Sequence, residues 1–301
     1  MDRLEAMSVL ITVVREGSLS AGARALRSSL PTISRRIAEL ERHLGTQLLI
    51  RTARRVELTE AGQGYVRACR RIIEQVEEAE LAAAGEYLAP RGELTITAPV
   101  MFGRLHVLPV AFDFLEAHPE VSLRVCLSDR NVSIAEEHIH LAVRIGELDD
   151  QGFIATRVAA VTKTVCASPR YLARRGAPAA PIELSEHDTI AIAGFGDAEA
   201  WDFQKGEERL LASLRPLVTV NMPEAALDAV LAGTGIARLL SYQVAAAVES
   251  GALVPLLENF APPPTPVSLV YPAQELLPAK LRAFLNWAAP RLRARLARDQ
   301  A

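Results

Sequence analysis

Residues 17–45, GSLSAGARALRSSLPTISRRIAELERHLG, decide how the N-terminal part of the chain folds. Ser18 is a candidate N-cap for a short helix, because its hydroxyl can accept a hydrogen bond from a free N–H of the first turn. Ser29 is the candidate cap of the next helix, and Pro31 falls in that helix's first turn, where a missing N–H costs nothing. The apolar residues of this second helix form one stripe at helical spacing: Ile33, Ile37, Leu40 and Leu44. The stretch therefore predicts two short helices joined by a tight turn.

The flanking residues extend this pattern on both sides. Apolar residues at helical spacing predict one more helix over residues 2–15. Two short strands are expected at 48–50 and 56–58, and the arginine-rich tip between them is typical of a wing. A long helix follows to about residue 87. Its apolar positions alternate spacings of four and three, which predicts a coiled-coil seam between two protomers: Tyr65, Cys69, Ile72, Val76, Ala79 and Ala83.

Charge is divided unevenly along the 301 residues, although the formal net charge is only -3. Residues 1–71 contain 13 arginines, no lysine and seven carboxylates, which gives +6, and the remainder carries -9. A basic head on an acidic body indicates that an anionic polymer is the partner of the head alone. Double-stranded DNA fits this charge, and the low aromatic content of 5% argues against a stacking platform for single strands.

The composition narrows the class of protein further. No run of residues approaches the roughly 18 apolar residues of a membrane span, so we expect a soluble, cytoplasmic protein without a membrane partner. The three cysteines lie far apart in the sequence, in keeping with reduced thiols. No nucleophile, phosphate-loop or metal-ligand motif is present, and His138 and His140 are more simply solvated or partly buried than metal-bound. We therefore expect no enzyme, no catalytic residue, no metal site and no cofactor.

From residue 93 the pattern changes to alternating strands and helices, which predicts an α/β body with largely parallel sheets. The expected strands are Leu94–Ala98, Val121–Leu127, His140–Val143 and Val161–Ala167. The expected helices are Leu105–Ala117, Pro223–Ala232, Tyr242–Ser250 and Leu281–Leu296. A proline-rich stretch at 261–266 is expected to cross between two subdomains.

The first 62 residues resemble the LysR-type transcriptional regulators. The resemblance rests on many residues at fixed spacing, namely residues 17–26, 31–37, Leu40-Glu41, Leu44-Gly45, Leu48, Arg51-Thr52 and 58–62. It continues through the body at 98–99, 102–104, 127–129, 141–146, 166–169, 233–236 and 251–254. The chain departs from the family at a few positions. Leu30 stands where a glutamine is usual, Leu49 where a phenylalanine is usual, and Arg27 where a small turn residue is usual.

The resemblance implies an α+β protein with three parts. These are an N-terminal winged helix-turn-helix at 1–62, a long linker helix at 63–90 that dimerises, and a C-terminal α/β effector domain at 91–301 that resembles a periplasmic binding protein. Its two subdomains would be 91–161 plus 268–301, and 162–267. The implied function is transcription regulation by DNA binding under control of a small-molecule effector. A homo-oligomer is implied, as a dimer or a dimer of dimers, and contact with RNA polymerase stays open.

The residues expected at DNA are short polar groups and arginines on the outward face of the third helix and on the wing. Hydroxyls can bind phosphates or base edges, and arginine can bind guanine through two hydrogen bonds. This set comprises Ser29, Pro31, Thr32, Ser34, Arg35, Arg36, Arg51, Thr52, Arg54 and Arg55.

The effector is expected where strands end and a helix begins, since ligands of open α/β sheets bind at that edge. The free N–H groups of a helix N-terminus suit an anion, so a small organic acid or an aromatic compound is expected there. The candidate residues are Val100, Met101, Phe102, Ser128, Arg144 and Asn221. Two alternatives stay open: a redox-sensing regulator that uses Cys126 and Cys166, and a periplasmic-type solute-binding protein.

Overall fold

The chain divides into two units, residues 1–88 and residues 89–301. The computed structural model describes residues 2–51, 55–83, 89–130, 139–148, 152–194, 199–273 and 277–298. The side chains of residues 51, 74, 77, 78 and 81–83 lie outside this description.

Three short helices with the expected caps form the start of the N-terminal unit: α1 (Arg3–Glu16), α2 (Leu19–Ala25) and α3 (Leu30–Leu44). The Oγ of Ser18 accepts from the N–H of Ala21 at 3.1 Å, and the Oγ of Ser29 accepts from the N–H of Thr32 at 3.3 Å. Arg27 lies in the turn between α2 and α3 with φ 48, the left-handed region that favours glycine. The N-terminal prediction of helices and caps is confirmed.

The wing is a two-stranded antiparallel sheet of β1 (Leu49–Arg51) and β2 (Val56–Leu58), followed by the long helix α4 (Glu60–Ala83). Glu41 of α3 holds the entry to β1, because its Oε1 accepts from the N–H groups of Leu48 at 2.9 Å and Leu49 at 3.1 Å. Gly62 lets α4 approach this turn, since a Cβ there would lie 2.0 Å from the Leu48 carbonyl oxygen. The wing therefore packs directly on the start of α4.

The C-terminal unit is a mixed α/β body. Its elements in chain order are β3 (Gly92–Ala98), α5 (Val100–Phe102), a π-helical turn (Gly103–Val107), α6 (Leu108–Ala117), β4 (Val121–Leu127), β5 (Leu141–Ile145), β6 (Phe153–Val161), β7 (Lys163–Ala167), α7 (Pro169–Arg175), β8 (Thr189–Ile192), β9 (Ala200–Lys205), β10 (Glu208–Ser213), β11 (Pro216–Val220), α8 (Pro223–Leu231), β12 (Ile236–Leu240), α9 (Ser241–Glu249), β13 (Val254–Leu256), β14 (Thr265–Pro272) and α10 (Ala279–Arg298). Two 3₁₀ turns lie at Pro181–Glu186 and Glu258–Phe260.

Two five-stranded sheets share one arrangement. The first has the order β4-β3-β5-β14-β6, and the second has the order β11-β8-β12-β7-β13. In each order the first three strands pair in parallel. The fourth strand, β14 or β7, pairs antiparallel with both of its neighbours. The expectation of largely parallel sheets is therefore confirmed only in part, because half of the pairings within these two sheets are antiparallel and β14 and β7 run against both of their neighbours. Strands β9 and β10 form a separate antiparallel hairpin.

The chain crosses between the two sheets twice. The first crossing is at Thr162, between β6 and β7, and the second runs from β13 to β14 through the proline-rich stretch. The predicted return at residue 268 falls inside β14, which starts at Thr265, so the two differ by three residues. A helical run also begins at Val100 rather than at 105, because α5, the π turn and α6 follow one another without a break. This run packs on the apolar core of the first sheet.

Candidate functional site

The outward side of α3 carries most of the side chains expected at DNA. Ile33 and Ile37 are fully buried in the core of the N-terminal unit and thereby fix which side of the helix faces out. Pro31 and Arg35 are exposed, and Thr32 and Ser34 are half-buried. The hydroxyls of Ser29 and Thr32 lie 2.8 Å apart and share a hydrogen bond within the cap. Arg35 is therefore the expected base contact that α3 presents most openly.

The Arg36 side chain forms an ion pair within its own unit. Its guanidinium forms an ion pair with the Glu5 carboxylate of α1. The sequence predicts Arg36 as a DNA contact. The ion pair could not be predicted from neighbouring residues, because Glu5 is 31 positions away in the sequence. The ion pair draws its charge towards α1, so Arg36 contributes less to a DNA-facing surface than Arg35.

The wing is only partly described. Arg55 is exposed beside β2, and the backbone of Arg51 lies in β1. Thr52, Arg54 and the side chain of Arg51 lie outside the described residues, so their expected DNA contacts remain predictions.

The expected seam on α4 splits into two parts. Cys69 is fully buried and Tyr65 packs half-buried against the core of the N-terminal unit. Burial raises the pKa of the Cys69 thiol. Burial and the nearby Cys69 side chain together raise the pKa of the Tyr65 phenol to about 12. Cys69 is a correction to the seam, since a fully buried side chain cannot also join a partner, whereas Tyr65 packs only part of its surface within its own unit. Ile72 and Ala79 are exposed and Val76 is half-buried, whereas the side chain of Ala83 lies outside the description.

A cleft of about 810 Å³ lies in the C-terminal unit and is lined by residues from both sheets. Among the described residues, four cationic side chains line it: Arg130, Arg144, Lys163 and Arg238. Apolar and aromatic residues supply the remaining walls, among them Ile145, Ile190, Trp201 and Tyr242. A cavity of this size, apolar with a few converging polar groups, is typical of a small-molecule site.

Three of the six expected effector residues line this cleft, namely Ser128, Arg144 and Asn221. Val100, Met101 and Phe102 do not. Met101 and Phe102 pack into the core of the first sheet, and the N–H of Val100 donates to Asp129 Oδ1 at 3.0 Å. One N–H of the helix N-terminus that was expected to hold an anion is thus already bonded to a carboxylate of the chain itself.

Sequence reasoning missed the best-defined polar group of the cleft. The Nζ of Lys163 and the Nη1 of Arg238 lie 2.9 Å and 3.0 Å from the same Asp202 Oδ1. Lys163 and Arg238 stand on the paired strands β7 and β12, where Leu240 pairs with Lys163 and Arg238 with Val165, so both face the same side of the sheet. Burial by itself raises the pKa of Asp202, but the hydrogen bond from Lys163 and the charge of Arg238 outweigh it and lower that pKa.

Arg238 is held firmly in this position. Its side chain is 2% exposed, its Nη1 also donates to the Asp202 carbonyl oxygen at 2.8 Å, and its guanidinium lies 5.3 Å from the centre of the Trp201 ring. The signal that could have identified it is a charged residue within the otherwise apolar strand sequence Ile236–Leu240. A buried arginine needs hydrogen-bonding partners, and such a residue in a cleft is a candidate functional group.

Tyr242 connects the cleft with the core behind it. Its ring lines the cleft and meets the Phe102 ring edge-on at a centroid distance of 5.3 Å, with the His106 ring 5.5 Å away. Burial raises the pKa of Tyr242, so the phenol stays neutral and can serve as a hydrogen-bond donor. Phe102 therefore supports the wall of the cleft from behind and does not line it.

The two cysteines of the redox-sensing alternative lie in different environments. Cys126 is exposed on β4, an edge strand of the first sheet, whereas Cys166 is fully buried on β7 of the second. Burial raises the pKa of Cys166 to about 12, which suppresses the reactive thiolate. These environments do not support a redox pair. Among the described residues, no group of three or more His, Cys, Asp or Glu side chains is arranged to hold a metal ion.

Comparisons with known proteins agree with both units. Residues 4–63 match the family model of the bacterial regulatory helix-turn-helix protein, lysR family, and residues 89–293 match the LysR substrate binding domain. An HTH-type transcriptional repressor of Pseudomonas aeruginosa is 32% identical over 291 residues, which cover 95% of this chain and 91% of the relative.

In the described part of the chain, no helix combines the length and the apolar character needed to cross a membrane.

Solved structures give the same result. The LysR-type regulator CrgA of Neisseria meningitidis is 30% identical, with a TM-score of 0.62 and coverage of 96% of this chain and 98% of CrgA. The virulence activator AphB of Vibrio cholerae, at 24% identity, shares the fold with a TM-score of 0.61 and coverage of 95% and 98%.

The helix-turn-helix unit and the cleft-bearing α/β unit together define a transcription regulator with a DNA-binding domain and an effector-binding domain. The chain belongs to the LysR-type family of transcriptional regulators. Members of this family are regulators rather than enzymes, and they bind DNA and small-molecule effectors and oligomerise. A periplasmic-type solute-binding protein does not account for the helix-turn-helix match at residues 4–63.

Proposed function

We propose that the cleft of the C-terminal unit binds a small organic anion and that this anion is the effector of the regulator. The observation that carries the proposal is the set of four cationic side chains around the cleft. Among the described residues that line the cleft, these cations outnumber the carboxylate of Asp129, and Asp202 pairs with Lys163 and Arg238. Arginine binds a carboxylate through two parallel hydrogen bonds, so a carboxylate suits this site.

The walls of the cleft narrow the class of anion. Trp201, Tyr242 and Ile190 present aromatic and aliphatic surface. An aromatic or short-chain acid can bury its apolar part against these residues while its carboxylate meets Arg144 or Arg238. A sugar would leave this apolar surface unmatched. Ser128 and Asn221 offer a hydroxyl and an amide for further polar groups of the ligand.

For the N-terminal unit, we propose that α3 enters the major groove and that Arg35 binds a base edge, as the second helix of a helix-turn-helix does. Pro31, Thr32 and Ser34 would line the same contact, with Ser29 at its end. The wing residues Arg51, Thr52, Arg54 and Arg55 would contact the phosphate backbone. The charge of +6 on residues 1–71 supports this assignment. A contact with RNA polymerase and action in the cytoplasm stay predictions from the family.

We propose that two protomers associate along the part of α4 that its own unit leaves uncovered. Ile72, Val76 and Ala79 supply the apolar positions of this part. Association through a second pair of surfaces would give the dimer of dimers that the resemblance implies.

Thermal unfolding of the full chain with a panel of aromatic and short-chain carboxylates tests the effector proposal. Each acid is paired with its neutral amide. We expect at least one carboxylate to raise the Tm where its amide does not. Arg144→Gln and Arg238→Gln should each lose this shift. Arg209→Gln, which replaces an exposed arginine of β10 outside the cleft, should keep it. Stabilisation by the amide as well, or an equal shift in all three variants, would overturn the proposal.

A further inference from the structure

Leu30 is the first residue of α3 and is 44% exposed. It precedes Ile33 by three residues and Ile37 by seven, which is the spacing of a single buried stripe. Ile33 and Ile37 are fully buried, but Leu30 stands beyond the end of the core that covers them. The apolar stripe of the helix thus continues past the core and emerges at the N-terminal end of α3.

The residues around Leu30 leave an apolar tip at this end. The hydroxyls of Ser29 and Thr32 bond to each other at 2.8 Å, and the Ser29 Oγ also accepts from the N–H of Thr32. These two polar groups are therefore engaged in capping the helix. Pro31, the next residue, is exposed as well. Leu30 and Pro31 together present adjacent apolar surface on a unit whose charge is strongly positive.

This position matters because the N-terminal residues of the second helix in a helix-turn-helix contact base edges in the major groove. Among the four bases of unmodified DNA, only thymine presents an apolar group there, its 5-methyl group. A leucine side chain can bury that methyl group but cannot bond to the donors and acceptors of the other bases. The leucine also removes the amide that a glutamine would use to read adenine.

We infer that Leu30 contacts the 5-methyl group of a thymine and thereby selects thymine at one position in each half-site. The inference rests on the proposed placement of α3 in the major groove. It adds a specificity-determining residue that the polar and cationic contacts do not include.

Replacement of thymine by deoxyuridine tests this contact, because it removes the methyl group and leaves base pairing intact. DNA that the full chain selects from a random-sequence pool supplies the site, and each thymine is then replaced in turn. We expect one deoxyuridine position per half-site to weaken binding about fourfold, the value of one buried methyl group. Leu30→Ala should bind the thymine site more weakly and should lose the difference between thymine and deoxyuridine at that position.

Leu44→Ala is the matched control, since Leu44 lies at the other end of the same helix and is 36% exposed. It should keep the full deoxyuridine effect. Leu30→Gln should change the base selected at this position to adenine when the selection is repeated. A Leu30→Ala protein that keeps the same deoxyuridine penalty, or a site at which no thymine responds, would overturn the inference. Failure of the wild-type chain to select any DNA would instead refute the proposed placement of α3.

Discussion

The Nη1 of Arg238 lies 3.0 Å from the carboxylate of Asp202 and 2.8 Å from the carbonyl oxygen of the same residue. One atom thus ties strand β12 of the second sheet to the β9–β10 hairpin, which belongs to neither sheet. Lys163 reaches the same carboxylate from β7. Lys163 and Arg238 line the cleft, and their contacts with Asp202 fix the positions of both cations.

Asp202→Asn should reduce stability in a pH-dependent manner. The folded protein lowers the pKa of Asp202, so the ionised carboxylate stabilises the fold above about pH 4, its value in an unfolded chain. That contribution is lost as the pH falls through the still lower folded-state pKa. Urea unfolding at pH 7 and near pH 3 should show a difference between wild type and variant that shrinks on acidification.

Asp228→Asn is a suitable control, because it removes an exposed carboxylate of α8 that has no ion pair among the described residues. A difference between wild type and Asp202→Asn that is equally large at both pH values would contradict the role of the ionised carboxylate.

Gly62 and Gly64, two residues apart on α4, should respond to alanine in opposite directions. A Cβ at Gly62 would lie 2.0 Å from the Leu48 carbonyl oxygen, whereas at Gly64 the nearest atom is 3.9 Å away. Gly62→Ala should lower the free energy of unfolding of the N-terminal unit by about 1–3 kcal/mol. Gly64→Ala should raise it by about 0.5–1 kcal/mol, since glycine is costly within a helix. Calorimetry measures both, and equal effects would refute the close approach of α4 to the wing.

The caps of α2 and α3 could be predicted because they depend on neighbouring residues. Ser18, Ser29 and the Gly45 that ends α3 act within a few positions of the chain. The cation pair of the cleft could not be predicted in this way. Asp202 is 39 positions from Lys163 and 36 from Arg238, and only the pairing of β7 with β12 brings the two cations together.

The seam on α4 failed in part for a related reason. An apolar stripe indicates that a helix face is buried, but it does not indicate which residues cover that face. Part of Tyr65 packs on the core of its own unit, and Cys69 is fully buried. At Val100 the free N–H expected to bind an anion is satisfied by Asp129, a residue on another strand end. Both errors arise from contacts between segments that are distant in sequence.

Arg35→Ala and Arg36→Ala should separate base-specific contacts from the general electrostatic contribution to DNA affinity. Arg35 is exposed on the outward side of α3, so its loss should weaken binding to a selected DNA site by about 1–3 kcal/mol and random DNA much less. Arg36 is paired with Glu5, so its loss should cost less and should affect both DNAs alike. Fluorescence titration at fixed salt gives the four affinities. Equal losses on both DNAs for Arg35→Ala would reduce that residue to a phosphate contact.

Val76→Glu should dissociate the protomers if the uncovered part of α4 is the seam. The substitution places a charge at an apolar position that association would bury, which is costly. Light scattering at micromolar concentration should show a smaller particle, and DNA affinity should fall with it. Gln75→Glu adds the same charge at the exposed neighbouring position and should leave the mass unchanged. An unaltered mass in Val76→Glu would place the dimer contact elsewhere.

The affinity of the full chain for its selected DNA, measured with and without a carboxylate that stabilises the protein, tests the central claim most directly. Effector coupling is typically worth a factor of about 5–150 in affinity. We expect a change of that order in the wild type, in either direction. Arg238→Gln should bind the DNA as the wild type does without ligand and should not respond to the carboxylate. An unchanged DNA affinity in the wild type at saturating carboxylate, or the same response in Arg238→Gln, would contradict the assignment of the cleft as the effector site.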